Sequence, residues 1–525
     1  MIVDCPKMSH LSKQAIRHCD RDAQSEGIEE NQFCDTMASS TEQPARSEKA
    51  MSDERTARTD ETPEPYTVFT RLEKCIIVAM VSYVSWSANL STFIFLPALK
   101  PLSEAFAVSV DRINLIITVY MAVGAVVPLF VGDAADILGR RAAYVVTLSL
   151  FATANLCLAL ADSYETFLGL RILQAVGQSG VILIGYGIVS DIASPANRGS
   201  YMSAVSFLIT IGPSLGPVLG GALTYAAGWA WIFWFLTIVT VSGLALIIFL
   251  LPETSRNIVG NGSKPPQPIL RLPIPFTSFM KHYKDGGESE ANAFHIPNPL
   301  RSLKALLRKD NAVIVVAWGS NNFDIRLTAT LSTLLIERYG LTEWQAGLIY
   351  LPFALGGTAS TFFSGYLLDT AYSKARSARG LSTDRIKGDD LDDFPIEKAR
   401  LNVIRLKTGH LIKSPTTYCI QHIAISMGLQ FMTGMALQVN FSTFNTLLVD
   451  INHRAPSAAN ASTSLVRYAF AAVIVAFLEN MFRSMGIGWA FTLIAGFIVV
   501  AVGLLIVEYC QGFAWRRDAA VRQSR

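Results

Sequence analysis

The chain has 525 residues, of which 51% are hydrophobic and 16% charged, and its net charge at pH 7 is +3. Soluble globular proteins carry about 25% charged residues, so the composition excludes a soluble domain, and the small net charge argues against a nucleic-acid partner. The seven cysteines show no metal-ligand spacing, which indicates free thiols rather than a metal site or a disulfide framework.

The first 72 residues are polar and poor in aromatic side chains. Because this composition cannot bury enough apolar surface to fold, we expect a disordered tail over residues 1–72. Apolar runs of about 20 residues follow, the length that crosses about 30 Å of hydrocarbon as a helix. Six of them predict a first helical bundle over residues 73–251: 74–96, 113–132, 142–161, 167–190, 201–226 and 230–251.

A polar stretch over residues 252–310 separates this bundle from a second one over residues 311–509. The stretch ends in NPLRSLKALLRKD, where leucines and basic residues fall on opposite faces of a helix. This pattern predicts an amphipathic helix on the membrane surface, although a solvated helix fits it as well. The second bundle contains five clear runs: 311–337, 345–368, 421–450, 464–484 and 487–509. Residues 510–525 form a predicted terminal tail.

Lysine and arginine are concentrated in alternate connections between the runs, in the central stretch and in the terminal tail. Basic loops stay on the cytosolic side of a membrane. The charge pattern therefore places the N-terminus, residues 252–310 and residues 510–525 in the cytosol.

Two pentapeptides occupy equivalent places in the two bundles. GDAAD (Gly132–Asp136) ends the second run and GYLLD (Gly365–Asp369) ends the eighth. Their positions predict that one six-helix unit was duplicated, as in many transporters.

Three longer motifs resemble those of the major facilitator superfamily. GDAADILGRR (Gly132–Arg141) resembles its loop signature, RILQAVG (Arg171–Gly177) its fourth-helix motif, and GPSLGPVLGG (Gly212–Gly221) the fifth-helix motif of its proton-driven antiporters. Other segments are similar to the fungal twelve-helix drug:proton antiporters of the quinidine-resistance type: DIASPANRGSYMS, GWAWIFWF, LPETSRNIVGNGS, FPIEKARL and FNTLLVD.

This resemblance implies an all-α membrane protein with two pseudo-symmetric six-helix halves. It implies export of drugs, toxins or metabolites in exchange for protons by alternating access, with the proton gradient as energy source and no cofactor, metal or enzymatic activity. The expected partners are the lipid bilayer, the substrate and protons, and we expect a monomer in the fungal plasma membrane, with the vacuolar membrane as an alternative. An uptake carrier or facilitator on the same fold, or an inactive or sensor-type protein, are the rival functions.

The fifth-helix motif has small residues at Gly212, Gly216 and Gly220, one every four residues. They line one stripe of a helix, on which another backbone can approach closely. Pro213 and Pro217 remove two backbone donors, and neighbouring helices can satisfy the freed carbonyls inside a bundle. We predict a bendable helix with a dry face. Its expected partner is the eighth run, which has similar residues: Gly347, Pro352, Gly356 and Gly357.

The loop signature predicts a cytosolic latch. Asp136 can accept hydrogen bonds from the N-terminus of a facing helix, where the helix dipole favours an anion, and Arg140 has a possible partner in Asp191. We expect Gly132 and Gly139 to form a tight turn between helix ends. In the alternative interpretation, arginines such as Arg140 and Arg141 only set topology.

Charges within apolar runs are costly and mark candidate proton sites. Asp324 lies near the centre of the seventh run and Glu479 in the outer part of the eleventh. Arg171 in the fourth run can lower the pKa of a nearby carboxylate. Asp324 is the preferred proton carrier, with a structural pair to an arginine as the alternative.

The substrate path is expected near the midplane between the halves. Polar and aromatic side chains at that depth are candidate contacts, with helix–helix hydrogen bonds as their alternative role: Asn89, Phe93, Tyr120, Gln174, Gln178, Asn321, Asn322, Asn440 and Asn445.

A ninth run is missing from the second bundle. After FPIEKARL the sequence reads NVIRLKTGHLIKSPTTYC, which is interrupted by Arg405, Lys407, His410 and Lys413. Either neighbouring helices force a short polar helix into the membrane, or the coding sequence has lost a span.

Overall fold

The computed structural model describes residues 65–265, 303–304, 306–319, 351–383, 389, 391, 394–411, 423–452 and 456–524. Within these ranges the chain is predominantly helical and has no strand. The helices are α1 (Arg71–Phe93), α2 (Leu99–Ala105), α3 (Val110–Leu138), α4 (Arg140–Ala159), α5 (Tyr164–Ser179), α6 (Val181–Ile192), α7 (Arg198–Ala227), α8 (Ala230–Leu250), α9 (Arg256–Val259), α10 (Leu351–Ser377), α11 (Ile396–Leu411), α12 (Ile423–Ile451) and α13 (Pro456–Ser524). Residues 309–319 are also helical.

The first half of the chain, α1 to α8, follows the six predicted runs closely. By length and composition, six helical spans within the described ranges can cross a membrane, and a seventh is added if the bent α7 counts as one span. Helices α5 and α6, interrupted at Gly180, together form one of them. Helix α6 is almost entirely buried because α1, α4, α7 and α13 all pack around it.

Helix α7 bends by 43° between its segments Arg198–Pro213 and Leu215–Ala227. Proline at 213 has no N–H to give to the carbonyl four residues earlier, that of Ile209. Asn89 on α1 donates its Nδ2 to this carbonyl at 2.6 Å. The predicted rescue of a freed carbonyl by a neighbouring helix is thus present, and Asn89 provides it.

Among the described residues, the most extensive contacts between the halves are those of α3 with α13 and of α7 with α10. Many of the polar contacts between the halves lie at one end of the bundle, which holds Arg140, Arg198 and Arg400. We call it the ionic end.

Residues 456–524, which contain the last two predicted spans, are helical throughout. A straight helix of that length would span about 100 Å. Yet Ser457 accepts a hydrogen bond from Arg140, and Arg516 pairs with Glu397, one turn before Arg400. Both ends of α13 therefore lie at the ionic end, so the chain reverses direction inside this element.

The place of the missing ninth run holds α11, which has 16 residues and is not among the apolar spans. It begins at the ionic end, where Arg400 pairs with Asp450 near the end of α12. Helix α12 therefore runs back toward the ionic end. A short ninth helix requires that α11 begin at the ionic end and that α12 return to it, as observed. Residues 412–422 lie outside the described ranges.

Two boundaries and one helix face differ from the predictions. The expected disordered tail ends too late, because residues 65–70 already pack on the ionic end through Tyr66. The expected terminal tail continues α13 as far as Ser524. In the amphipathic segment, Leu306 packs against a buried cluster whereas Leu307, on the same predicted face, is 74% exposed.

Candidate gate at the ionic end

The predicted residues of the loop signature form a buried ionic cluster, which we call latch one: Asp136, Arg140 and Asp191. Arg140 Nε lies 2.9 Å from Asp191 Oδ2, and Nη1 pairs with Asp136 Oδ1. The same Nη1 donates to Ser457 Oγ at 2.6 Å, across the interface between the halves. The sequence analysis predicted both carboxylate partners of Arg140, and the structure brings them together.

Asp136 also reaches the other half of the chain. It accepts hydrogen bonds from the backbone N–H of Ser457 at 3.4 Å and of Ala458 at 3.0 Å, in the first turn of α13. The first N–H groups of a helix lack partners within the helix, and its dipole favours a negative charge there. The carboxylate therefore caps a helix of the opposite half.

Gly132 lies inside α3 rather than in a turn, so that part of the prediction was wrong. A Cβ added at Gly132 would lie 2.8 Å from Ala461 Cβ and 2.9 Å from the Ser457 carbonyl oxygen. Gly132 precedes Asp136 by one helical turn and shares its face. The glycine lets α13 approach closely, and the aspartate then binds the N-terminus of that helix.

The turn between α3 and α4 is made at Gly139, whose φ of +105° suits glycine. Glu253 holds this turn, since it accepts from the backbone N–H of Arg140 at 2.9 Å and of Arg141 at 3.2 Å. The Arg141 side chain donates to the carbonyl of Ile248, near the end of α8, at 2.8 Å. These bonds orient Arg140 toward its two carboxylates.

A second cluster, latch two, repeats this arrangement in the other half: Asp369, Arg400 and Asp450. Arg400 Nε lies 2.9 Å from Asp450 Oδ2, and Nη1 lies 3.8 Å from Asp369 Oδ1. Asp369 accepts from the backbone N–H of Gly199 at 2.9 Å and of Ser200 at 3.1 Å, in the first turn of α7.

The glycine of the second pentapeptide plays the same part as that of the first. A Cβ added at Gly365 would lie 2.6 Å from Ser200 Cα. GDAAD and GYLLD are thus alike because each puts a glycine and an aspartate against the first turn of a helix from the opposite half.

Latch two contains an ion pair that joins the two halves directly. Arg198, the first residue of α7, pairs through Nη1 with Asp450 Oδ1, and both side chains are fully buried. Arg400 also crosses the interface, donating from Nη2 to the Pro195 carbonyl at 2.7 Å. One carboxylate, that of Asp450, therefore serves two arginines from different halves.

Sequence reasoning missed the residues of latch two and Arg198. The signals were present, because GYLLD contains Asp369, FPIEKARL contains Arg400 and FNTLLVD ends in Asp450. The sequence analysis treats GDAAD and GYLLD as a repeat but predicts an aspartate–arginine pair only for the first of them.

The small-residue stripe of α7 does not face the eighth span, so the predicted partner was wrong. A Cβ added at Gly216 would lie 2.9 Å from Phe93 Cβ and 3.1 Å from the Ile94 nitrogen, both on the C-terminal part of α1. Gly212 faces Asn89, and Gly220 lies against the Ile94 carbonyl.

Helix α10 meets α7 closer to the ionic end, at Ser200 and Ser203. Ser364 donates to Ser203 Oγ at 3.1 Å, and a Cβ at Gly357 would meet the Thr210 methyl group at 2.9 Å. Of the other small residues expected to face α7, Gly356 packs against the Phe431 backbone of α12 instead.

Arg171 lies buried among aromatic rings. Its guanidinium carbon is 3.7 Å from the ring centroid of Phe95, 5.0 Å from Tyr120 and 5.7 Å from Phe233. Nη1 donates to Gln174 Oε1 at 2.5 Å. Nε and Nη2 have no hydrogen-bond acceptor within the described part of the chain.

The remaining candidates from the sequence are of three kinds: those with a hydrogen bond in the structure, those for which burial alone is given, and those outside the described residues. Tyr120 shares a hydrogen bond with Ser91 at 3.0 Å, Gln174 donates to Asn155 at 2.6 Å, and Asn445 donates to the Phe441 carbonyl at 2.9 Å. Gln178 is buried on α5 and Asn440 half-buried on α12. Asn321, Asn322, Asp324 and Gly347 lie outside the described residues, as does the side chain of Glu479.

The sequence profile of the Major Facilitator Superfamily matches residues 76–382, more than half of the chain. The chain belongs to this superfamily. It is 34% identical over 471 residues to the MFS-type transporter phiD of Fungal sp. (strain ATCC 74256), covering 87% of this chain and 71% of that protein. It is 31% identical to citrate exporter 1 of Aspergillus niger, covering 88% of this chain and 90% of the exporter.

Solved structures of superfamily members share the fold. The proton:xylose symporter XylE aligns with a TM-score of 0.57 and 13% identity, covering 84% of this chain and 96% of XylE. The human organic anion transporter MFSD10 aligns with a TM-score of 0.51 and 17% identity, covering 82% of this chain and 99% of MFSD10. The protein is therefore a membrane transporter of the superfamily and not an enzyme.

Proposed function

We propose that this transporter exports a small organic molecule in exchange for protons, and that the ionic end is its cytosolic gate. The observation that carries the proposal is the pair of latches. Each half binds the N-terminus of a helix from the other half through an aspartate, and an arginine holds that aspartate in place. Alternating access needs contacts of this kind, which are strong when the halves meet and absent when they rock apart.

The orientation follows from charge. Basic residues flank the spans at the ionic end, and basic loops remain in the cytosol. We therefore place the N-terminus in the cytosol and this structure in the outward-facing or occluded part of the cycle. The plasma membrane is the proposed location, because export from a fungal cell requires it.

Proton coupling is assigned to Asp324 or Glu479, with Arg171 as the fixed positive charge of the first half. The close contact between the α7 stripe and α1 supports an exchanger, since a leak between helices would dissipate the proton gradient. The motif resemblance to drug:proton antiporters of the quinidine-resistance type points the same way.

Export of an anionic substrate is a second, narrower candidate function, and the buried Arg171 favours it. A buried guanidinium with two nitrogens, Nε and Nη2, that lack acceptors in the described ranges suits a carboxylate, which accepts two parallel hydrogen bonds. One relative is named as a citrate exporter, and metabolites are among the substrates that the motif resemblance implies. Drug-like substrates would instead use the surrounding rings of Phe95, Tyr120 and Phe233.

The test is transport in proteoliposomes under an imposed pH gradient, with labelled citrate and a lipophilic cation as the two probes. We expect one of the two probes to accumulate while protons flow in the opposite direction. Asp324→Asn should uncouple the flux of that probe from the pH gradient. If citrate is the substrate, Arg171→Gln should abolish its transport. Flux in the uptake direction alone would indicate an uptake carrier, and no flux of any compound despite correct insertion would support the inactive or sensor-type rival.

The glycine stripe allows a matched control. Gly216→Leu should abolish exchange while the protein still reaches the membrane, because the side chain would force α7 away from Phe93 on α1. Gly221→Ala should be tolerated, since the nearest atom to an added Cβ, in Pro97, is 3.9 Å away. Normal exchange in the Gly216 variant would contradict the role of this face.

A further inference from the structure

The residues before the first helix are fixed against the ionic end by a tyrosine that contacts a residue next to latch one and the arginine that pairs with latch two. Tyr66 donates its hydroxyl to the Ser190 carbonyl at 3.1 Å and accepts from Arg198 Nη2 at 2.9 Å. Ser190 immediately precedes Asp191 of latch one, and Arg198 is the arginine that crosses to Asp450 of latch two. One phenol group therefore connects the two latches.

Arg256 holds this tyrosine from the other side. Its guanidinium carbon lies 3.5 Å from the centroid of the Tyr66 ring, and Nη2 donates to the Tyr66 carbonyl at 2.7 Å. The same guanidinium donates to the Asp191 carbonyl from Nε at 3.2 Å and from Nη2 at 3.1 Å. Stacking on the ring and three hydrogen bonds leave Tyr66 little freedom to leave its place.

The backbone that follows Tyr66 is held at two points. The Val68 N–H donates to the Asn261 carbonyl at 3.1 Å. Thr70 caps α1 through a capping box with Glu73, which fixes the direction of the helix start. We call residues 65–70 the strap, because they run from the tail that precedes them across the ionic end into α1.

We propose that the strap is a positioning element of the gate, in which Tyr66 orients Arg198 toward Asp450 and thereby favours the closed ionic end. Arg198 Nη1 is bound to Asp450, Nη2 is bound to the phenol, and Nε has no acceptor in the described ranges. Without the hydroxyl, the one acceptor that Nη2 keeps within the described ranges is the Ser190 carbonyl at 3.4 Å, which is a weak contact. The proposal rests on the proposed function only in identifying the ionic end as the gate.

The first experiment measures opening of the ionic end without transport. Ser203 is buried and hydrogen-bonded to Ser364 of the other half, so a cysteine at 203 reacts with a small charged thiol reagent only when the halves separate. The seven native cysteines are replaced by serine in the full-length chain, Ser203→Cys is added, and labelling rates are measured in nanodiscs.

Tyr66→Phe removes only the hydroxyl and keeps the ring under Arg256. We expect it to raise the labelling rate about fivefold to tenfold, because a hydrogen bond to a charged group is lost from the closed state alone. Tyr225→Phe is the matched control and should not change the rate, since Tyr225 is 96% exposed at the opposite end of α7. An unchanged rate in the Tyr66 variant overturns the proposal.

Two further variants separate positioning from a general loss of structure. Arg256→Gln should raise the rate in the same direction, because it releases the tyrosine without touching Arg198. Combining Tyr66→Phe with Asp450→Asn should add little to the effect of Asp450→Asn, since Arg198 has then already lost its partner across the interface. Independent, multiplicative effects would show that Tyr66 does not act through Arg198.

The labelling result stands apart from the proposed function because it needs neither substrate nor proton gradient. Faster labelling with no export of any compound would uphold the strap and reject the exporter. Normal export in Tyr66→Phe with unchanged labelling and unchanged KM would reject the strap and leave the exporter standing.

Discussion

Latch one and latch two each use two aspartates and one arginine, but to different effect. In each, an arginine lies between two aspartates, and one aspartate caps a helix of the opposite half. In latch one the ion pairs stay within the first half, and the other half contributes backbone N–H groups and the Ser457 hydroxyl. In latch two, Asp450 binds Arg198 across the interface as well as Arg400 within its own half.

The difference shows how a duplicated unit can acquire unequal roles. A capped helix N-terminus contributes a modest, local stabilisation. A fully buried ion pair leaves a costly unpaired charge when it is broken. We therefore expect latch two to contribute more to closing the ionic end, and latch one to contribute more to holding the first half together.

The largest expected effect comes from Asp450→Asn, which leaves two buried arginines without their shared carboxylate. Breaking a buried pair by removing one partner costs about 3–5 kcal/mol, so the variant should unfold at a clearly lower temperature in nanodiscs. Asp191→Asn should cost less, because Arg140 keeps Asp136. The reverse order of melting temperatures would contradict the inequality of the latches.

A smaller effect is expected from the two pentapeptide glycines. Gly365→Ala and Gly132→Ala each place a methyl group against the opposite half, 2.6 Å from Ser200 Cα and 2.8 Å from Ala461 Cβ. Overpacking costs about 1–3 kcal/mol, and it should appear as faster labelling of a cysteine at 203. Gly169→Ala is the control, because an added Cβ there meets nothing within 4 Å.

The next smaller effect is expected from substitution of the two capping aspartates. Asp136→Asn removes the charge that faces both Arg140 and the α13 N-terminus, and we expect turnover to fall about tenfold with no change in amount or orientation, equivalent to about 1.4 kcal/mol. Asp369→Asn should lower turnover less, because Arg400 is 3.8 Å away and already bound to Asp450. Turnover measured in proteoliposomes, with expression followed separately, checks the order; unaltered turnover in the Asp136 variant would count against the latch.

The smallest effect belongs to the serines that meet each latch from the opposite half. Ser457→Ala removes a buried acceptor of Arg140, and we expect it to lower the free energy of unfolding by about 0.5–1.5 kcal/mol. Ser200→Ala removes a donor to Asp369 at a solvent-exposed site, where water can replace it, so its effect should be near zero. Equal losses of thermal stability would remove this distinction between the latches.

Latch one was predictable because its information is local. Asp136 and Arg140 are four residues apart across a helix junction, and the glycine before them is one turn away on the same face. The apolar runs likewise predicted the six helices of the first half, because the thickness of the bilayer fixes the length of a crossing helix. A freed carbonyl at Pro213 predicted a donor from a neighbouring helix, though not that Asn89 would be that donor rather than a substrate contact.

The ninth run shows where a local pattern fails. Arg405, Lys407 and His410 interrupt the apolar pattern, which left open either a short polar helix or a lost span, and α11 extends through these positions. Its first turns are held by Arg400, whose bonds go to Asp450, the Leu368 carbonyl and the Pro195 carbonyl. Hydropathy alone gives no account of such long-range bonds.

The sequence by itself determined a helical membrane transporter, the extent of its first six spans and the members of one latch, because the first two depend on composition and the three latch residues flank the ends of predicted runs. Tertiary structure decided which backbone the glycine stripe meets, that Asp450 serves two arginines, and that Tyr66 joins the latches. The physical reason is that a stripe of small residues needs a closely packed backbone and a buried charge needs a polar or charged partner. The packing of distant segments decides which residues fill these places.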